Sequence, residues 1–152
     1  MAIKARIEQN MTKHPYIANK KMTIVEATRF MDDCGIRHLP VTENEKLIGV
    51  VSDRDLKKAQ AFAGPGTLLV EDVMTYNPFC VKKGASLAQV ARSMAEQRIG
   101  SAIVKDENDQ VVGIFTTTDG MRLLSEILKK EGAGRNQPHE IGYDTFPEYM
   151  SW

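Results

Sequence analysis

The chain has 152 residues, of which 42% are hydrophobic and 26% charged, a composition typical of a globular protein rather than a disordered chain. Its 20 Lys and Arg residues balance its 20 Asp and Glu residues, so the net charge favours neither nucleic acid nor an anionic membrane surface as a partner. The two cysteines do not resemble a disulfide framework, and we expect no signal peptide because the first ten residues lack an apolar segment. The apolar runs have about five residues, against the roughly 20 that span a bilayer, so we expect no membrane insertion and a cytoplasmic protein, or at most one peripheral to a membrane.

The first half of the chain has the pattern of a small unit of strands and helices. It opens with Met-Thr-x-x-Pro at residues 11–15, and Thr23 is then followed three residues later by Glu26, the capping box of a helix start. Apolar residues at helical spacing follow, and Gly35 predicts the end of this helix. Two apolar runs separated by a polar turn then predict an antiparallel hairpin, and a second helix is expected from Asp55.

The second half of the chain repeats this pattern in the same order. Its first helix is expected to begin with a capping box at Ser86 and Gln89 and to end at Gly100. Its second helix is expected to begin at Asp119. At an offset of 63 residues, and of 64 after the turn, the matched pairs include Met11 with Met74, Thr12 with Thr75, Pro15 with Pro78, Gly49 with Gly113, Ser52 with Thr116, and Asp55 with Asp119.

The repeat predicts an α/β (α+β) fold in which each copy is strand–helix–strand–strand–helix. The expected boundaries are residues 5–63 for the first copy, 67–131 for the second, and 132–152 for a C-terminal tail. Each copy has one apolar sheet face that it cannot bury alone. We therefore expect the copies to pack with pseudo-twofold symmetry, with two equivalent clefts between them.

These residues resemble the CBS family in its tandem arrangement, the Bateman module. The resemblance rests on the two Met-Thr-x-x-Pro segments, on residues 35–41 and 47–56, and on residues 99–104 and 111–120. It implies two β-α-β-β-α repeats that bind AMP, ADP, ATP or S-adenosylmethionine in the clefts and regulate an unidentified protein, without a catalytic cofactor. It also implies that a free-standing pair forms a homodimer.

Each copy has a hydroxyl and an aspartate where a strand is expected to meet a helix: Ser52 with Asp55, and Thr116 with Asp119. A carboxylate can accept two hydrogen bonds from a ribose diol, and hydroxyls with helix amides can hold phosphate oxygens. The resemblance assigns ribose binding to the aspartates and phosphate binding to the hydroxyls. The alternative is that both pairs only cap helices, where these residue types are favoured in any case.

Two cations lie between a predicted helix end and a strand start. The resemblance implies that Arg37 and His38 reach the ligand phosphates, where arginine is always charged and histidine gains charge below about pH 6.5. The alternative is a surface arginine beside a packed histidine. The second copy has Gly100 and Ser101 at these positions, so we expect one good nucleotide site and one weak or empty site.

The resemblance also suggests less direct ligand contacts. Arg54 and Thr118, each just before an aspartate, are further candidates for phosphate binding. An adenine slot needs apolar walls, although core packing is the alternative for each apolar residue. The candidates for the adenine pocket are Thr12, Tyr16, Ile36, Pro40, Thr75, Phe79, Ile99, Ser101 and Ala102. The repeated methionines Met11, Met31, Met74 and Met94 are expected to fill the core.

Other classes of function have less support in the sequence. The three histidines lack metal-ligand spacing, and neither a phosphate-binding loop nor a nucleophile elbow is present, so we expect no enzymatic activity. The main alternative is a scaffold with empty clefts that acts through protein contacts. The tail contains Tyr143, Phe146, Tyr149 and Trp152, which either fold back on the module or dock on a partner. No nucleic-acid binding is expected.

Overall fold

The computed structural model describes residues 6–64 and 68–132, so the predicted tail lies outside the described residues apart from Gly132. The mixed class and the repeat of strand, helix, hairpin and helix are confirmed. In chain order the elements are a 3₁₀ helix (Ile7–Gln9), β1 (Thr12–Lys13), β2 (Ala18–Asn19), α1 (Ile24–Cys34), β3 (His38–Glu43), β4 (Lys46–Ser52), α2 (Asp53–Phe62), α3 (Val70–Val73), β5 (Thr75–Tyr76), β6 (Cys80–Lys82), α4 (Leu87–Gln97), β7 (Ser101–Lys105), β8 (Val111–Thr116) and α5 (Thr117–Gly132).

The two sheets do not follow the two copies of the sequence. The first sheet has the strand order β2-β3-β4-β5 and the second has the order β1-β8-β7-β6. The first copy therefore donates β1 to the second sheet, where Thr12 lies opposite Ile114 in an antiparallel pair. The second copy donates β5 to the first sheet, where Thr75 lies opposite Val50. The segment that opens each copy (residues 6–13 and 69–76, the opening segments) thus completes the sheet of the other copy.

The repeated methionine and glycine of each copy explain this exchange. A Cβ built on Gly49 would lie 2.7 Å from Met74 Sδ and 2.8 Å from the Thr75 carbonyl oxygen. A Cβ on Gly113 would lie 2.9 Å from Met11 Cγ and Cε. Any side chain at these two strand positions would displace the methionine that packs there. Each glycine therefore makes room for the opening segment of the other copy.

Each sheet covers one hydrophobic core, and each opening segment contributes to the core of the other copy. Val70 and Met74 belong to the first core, although they come from the second copy, while Ile7 belongs to the second core. Met31, Met74 and Met94 are buried and Met11 is partly buried, as expected for core residues. The other members of the first core are Ala18, Ile24, Ala27, Met31, Leu39, Val41, Val51 and Leu56; those of the second are Leu87, Val90, Met94, Ala102, Val104 and Phe115.

The helix ends are predicted well in the first copy and less well in the second. Thr23 and Glu26 form the complete capping box of α1, and Gly35 ends that helix with a left-handed φ of 64°. Ser86 caps α4 by accepting a hydrogen bond from the Gln89 amide at 3.4 Å, but the reciprocal bond of a box is not among the described contacts.

The predicted end of α4 at Gly100 is wrong. The helix ends at Gln97, and Arg98 takes the left-handed conformation, with a φ of 56°. The backbone bonds are those found after α1, because the amides of Arg98 and Ile99 reach the carbonyls of Ala95 and Met94. Arg98 is also the residue that the 63-residue offset matches to Gly35. Gly100 is therefore not required as a cap and is free for another role.

The last helix of each copy begins earlier than predicted. Helix α2 begins at Asp53 and α5 at Thr117, so Asp55 and Asp119 lie in the first turn instead of at the first residue. Helix α5 contains no fully buried residue, although Leu123 packs partly against the second core. Within residues 6–64 and 68–132, no helix combines the length and the apolar character needed to cross a membrane.

Candidate functional site

The two aspartates lie at matching strand-to-helix junctions: the first junction is Ser52 to Asp55 and the second is Thr116 to Asp119. At the first, Asp55 Oδ2 accepts from the Ser52 amide at 3.0 Å, and Ser52 Oγ accepts from the Asp55 amide at 3.1 Å. At the second, Asp119 Oδ2 accepts from the Thr116 amide at 2.8 Å and from Thr116 Oγ1 at 3.0 Å. Both pairs therefore form helix caps, which was the alternative interpretation.

The caps use only one oxygen of each carboxylate. In the described part of the chain, Asp55 Oδ1 has no hydrogen bond, and Asp119 Oδ1 has only a 3.9 Å contact with the exposed Arg122 guanidinium. A carboxylate has about four acceptor positions, so one oxygen can be fixed by the helix while the other binds a ligand. Helix capping and ribose binding are therefore compatible at both junctions.

The strand starts place Arg37 and His38 beside the first junction. His38 begins β3 and lies opposite Ser52, and the Asp53 amide donates to the Arg37 carbonyl at 2.9 Å. The second copy has the same arrangement, because Ser101 lies opposite Thr116 and the Thr117 amide donates to the Gly100 carbonyl at 3.1 Å. The predicted equivalence of these positions is thus reproduced by the backbone.

The imidazole of His38 extends across to the second copy. Its Nε2 lies 3.0 Å from the position that a Cβ would take on Gly100. Glycine therefore leaves the space that this ring needs, whereas the matching residue of the first copy is the exposed Arg37. Ser101, which matches His38, is buried and uncharged. The centre of the module is consequently asymmetric, with both candidate cations on the first copy.

Burial lowers the pKa of His38 below its ordinary value of 6.5. The negative charges of Asp55 and, to a smaller extent, Asp119 act in the opposite direction and raise this pKa. Arg37 lowers it further, and Asp53 has the smallest effect and raises it. The carboxylates of both junctions thus act on one imidazole. The contacts agree with this, because His38 lies opposite Ser52 of the first junction and beside Gly100, whose carbonyl accepts from the Thr117 amide of the second junction.

The exchanged strands decide which opening segment lies beside which junction. Thr75 pairs with Val50, two residues before Ser52, so the opening segment of the second copy lies along the strand that leads to Asp55. Thr12 pairs with Ile114, so the first opening segment lies along the strand that leads to Asp119. Each junction therefore follows a strand that is paired with the opening segment of the other copy, an arrangement that the sequence pattern left open.

The adenine candidates differ in how much surface they offer. Tyr16 is 56% exposed, and its ring packs edge-to-face on Phe30 with centroids 5.3 Å apart. Ala102 is fully buried in the second core and offers no side-chain surface to a ligand. Pro40 and Ser101 are also buried; Ile36, Phe79 and Ile99 are partly buried against the cores; Thr12 and Thr75 are exposed, as are the phosphate candidates Arg54 and Thr118.

A cavity of about 340 Å³ lies away from both junctions. It is lined by Leu47 at the start of β4, whereas the first junction follows the end of that strand. Lys20 lies in its wall and is ion-paired with Glu43 and, at 3.7 Å, with Glu71. The cavity is therefore not the predicted cleft. Within the described ranges, no group of three or more His, Cys, Asp or Glu side chains is arranged to hold a metal ion.

Comparison with known proteins agrees with this architecture. The sequence profile of the CBS domain matches residues 4–61 and 70–126. The chain belongs to the CBS-domain family. Curated relatives include an L-aspartate semialdehyde sulfurtransferase of Methanocaldococcus jannaschii, 30% identical over 119 residues, and an inosine-5'-monophosphate dehydrogenase of Korarchaeum cryptofilum, 32% identical over 114 residues. The matches cover 78% and 75% of this chain but only 23% of each enzyme.

Solved structures of CBS pairs have the same fold. The CBS domain pair of protein MJ0100, in complex with 5'-methylthioadenosine and S-adenosylmethionine, is 28% identical with a TM-score of 0.73, and the match covers 80% of this chain and 97% of that one. The cytosolic domain of the Mg²⁺ channel MgtE, in complex with ATP, is also 28% identical, with a TM-score of 0.66 and a coverage of 80% and 49%. Two CBS repeats therefore form one Bateman module here, as predicted.

Proposed function

We propose that this CBS pair is a regulatory module that binds an adenine nucleotide of the AMP, ADP or ATP class between its two copies and thereby modulates a partner protein. The observation that carries the proposal is the pair of junction aspartates, each held by a helix cap through Oδ2 while Oδ1 accepts no hydrogen bond from the described residues. Ribose diols bind to such oriented carboxylates through charge-assisted hydrogen bonds. The relatives that bind ATP or S-adenosylmethionine support the ligand class.

The module offers two candidate clefts of unequal charge. Asp55 and Asp119 are the proposed ribose contacts, and Ser52 and Thr116 are proposed to contact phosphate beside the first amides of α2 and α5. Within the described residues, the Ser52 hydroxyl hydrogen is free to do so, whereas that of Thr116 would have to turn from Asp119 Oδ2 to the phosphate. Arg37 and His38 would add positive charge, and neither has an equivalent in the second copy. We propose that one cleft holds the nucleotide phosphates well and that the other is weak or empty. No catalytic step is assigned, and the related enzymes contain this module as a small part of their length.

Thermal unfolding with and without ligand tests the proposal. A ligand at about 100 times its dissociation constant stabilises the folded state by about 2.7 kcal/mol, which shifts the midpoint by several degrees in a domain of this size. We expect AMP, ADP or ATP to do so in the wild type, and Asp55→Ala or Asp119→Ala to abolish the shift. S-adenosylmethionine tests the alternative ligand class.

A matched control separates ligand binding from helix capping. Glu26 accepts a hydrogen bond from the Thr23 amide at 2.9 Å, as Asp55 does from the Ser52 amide, but it caps α1 instead of α2. Glu26→Ala should therefore lower the unliganded midpoint while leaving the ligand-induced shift intact. If no adenine ligand shifts the wild-type midpoint, the nucleotide proposal is wrong and the scaffold alternative is favoured.

We also propose that the module forms a homodimer through its last helices. Met121, Leu124 and Leu128 lie on one face of α5 and are 64%, 45% and 57% exposed. Contiguous apolar surface of this kind is typical of an interaction site. Leu124→Lys should produce monomers in analytical ultracentrifugation, while Glu126→Gln, which changes the net charge equally, should leave dimers. Monomeric wild-type protein at micromolar concentration contradicts this part of the proposal.

A further inference from the structure

His38 is the titratable side chain at the point where the two junctions meet. Its Nε2 lies beside Gly100 of the second copy, and its ring nitrogens make no hydrogen bond with the described residues. The charged groups that act on it are Asp55, Asp53 and Arg37 from its own copy and Asp119 from the other. A half-buried imidazole with both nitrogens free can accept a proton and donate it to an arriving anion.

The protein without ligand favours the neutral ring. Burial penalises the charged form and lowers the pKa of His38, and the carboxylates of Asp55 and Asp119 only partly compensate. One oxygen of each of these carboxylates is already occupied by a helix cap. A phosphate beside the ring would add the negative charge that the imidazolium lacks.

We propose that His38 is a proton-linked phosphate contact, so that binding of the phosphate of an adenine nucleotide is coupled to protonation of this imidazole and strengthens as the pH falls. This inference rests on the proposed function. Ser101, the equivalent of His38, does not titrate, so the linkage involves one proton per module. Gly100 is the residue that gives the ring access to this position.

The sign of the effect follows from the two protonation states. In the free protein the pKa of His38 lies below 6.5, and bound phosphate raises it. Between these two values, the bound state carries a proton that the free state lacks. Affinity therefore rises as the pH falls through this interval, by up to about ten-fold for each unit by which phosphate raises the pKa.

Binding of AMP and of adenosine at several pH values tests the inference. Affinities are measured by titration calorimetry between pH 5.5 and 8 for the wild type and His38→Gln, in two buffers of different ionisation enthalpy that report proton uptake. The phosphate of AMP itself titrates near pH 6, but it does so equally with both proteins. The ratio of wild-type to variant affinity therefore isolates His38.

We expect this ratio to increase for AMP as the pH falls, with net proton uptake in the wild type alone, and to stay constant for adenosine, which has no phosphate. Gly100→Ala keeps the histidine but crowds its ring, and should reduce proton uptake without changing the affinity for adenosine. Equal pH dependence of AMP binding in the wild type and His38→Gln overturns the inference while leaving the proposed function intact. If neither AMP nor adenosine binds the wild type, the proposed function fails and the inference fails with it.

Discussion

Substitution of the two packed glycines tests the exchange of strands between the copies. A Cβ at Gly49 would meet both Met74 and a carbonyl oxygen of the backbone, at 2.7 and 2.8 Å. The three atoms nearest to a Cβ at Gly113 all belong to the side chain of Met11. Backbone in a paired strand cannot move without breaking its hydrogen bonds, whereas methionine has three rotatable bonds and adapts readily. We therefore expect Gly49→Ala to be more destabilising than Gly113→Ala.

The size of the effect follows from the overlap. Ordinary contacts of a Cβ begin at 3.4 Å, so alanine at Gly49 forces a separation of about 0.6 Å from the Thr75 oxygen. Overpacking of this kind costs about 1–3 kcal/mol, and the lower chain entropy of alanine in the unfolded state returns about 0.4–1 kcal/mol. Gly49→Ala should thus lower the free energy of unfolding by about 1–2 kcal/mol, and the midpoint by about 2–4 °C for each kcal/mol.

A double-mutant cycle measured by urea unfolding identifies the group that is displaced. Met11→Ala removes the side chain that supplies the three nearest atoms to a Cβ on Gly113, so the cost of Gly113→Ala should largely disappear in that background. Met74→Ala leaves the Thr75 carbonyl in place, so most of the cost of Gly49→Ala should remain. Equal costs for the two glycines, or full rescue of Gly49→Ala by Met74→Ala, would refute the backbone contact between the copies.

Three further predictions concern the junctions and the surface. Asp55→Ala and Asp119→Ala should each lower the free energy of unfolding without ligand by about 1 kcal/mol in urea unfolding, because each removes the carboxylate that accepts a hydrogen bond from the backbone amide of Ser52 or Thr116 at a helix start. Because folding lowers the pKa of His38, the unfolded chain binds more protons than the folded protein near and below pH 6.5, so the free energy of unfolding decreases as the pH is lowered through this range. His38→Gln should flatten this part of the profile of unfolding free energy against pH. Lys20→Met should leave the midpoint of urea unfolding nearly unchanged, since the pairs of Lys20 with Glu43 and Glu71 are partly exposed to solvent, where ion pairs contribute little.

The local signals in the sequence predicted most of the elements and the equivalence of the two copies. Capping residues and apolar spacing act over three to five residues, so they identify helix starts without knowledge of the rest of the fold. The end of α4 was misplaced because glycine was expected at the cap, whereas Arg98 adopts the left-handed conformation in its place. The 63-residue offset of the repeat matches Gly35, the C-cap of α1, to Arg98, the C-cap of α4. The offset therefore indicates the correct helix end, because it depends on position in the repeat and not on residue type.

The exchange of strands could not be predicted in the same way. Strands β1 and β5 have only two residues each, too few for an alternation that would indicate a partner or a register. The approach of His38 to Gly100 likewise joins two residues 62 positions apart in the sequence. Such contacts depend on the packing of the copies and leave no local pattern.

The exchange has a consequence for how a ligand would act on this module. Each candidate cleft takes its aspartate from one copy and its neighbouring opening segment from the other, and both opening segments also contribute to the core of the opposite copy. A ligand that contacts both parts would therefore bridge the two copies, as Met74 does over Gly49 and Met11 does over Gly113. Its binding energy would act on the packing between the copies, because a ligand shifts a conformational equilibrium only by its differential affinity for the two states. The position of the two copies relative to each other is thus the structural variable that a nucleotide could control.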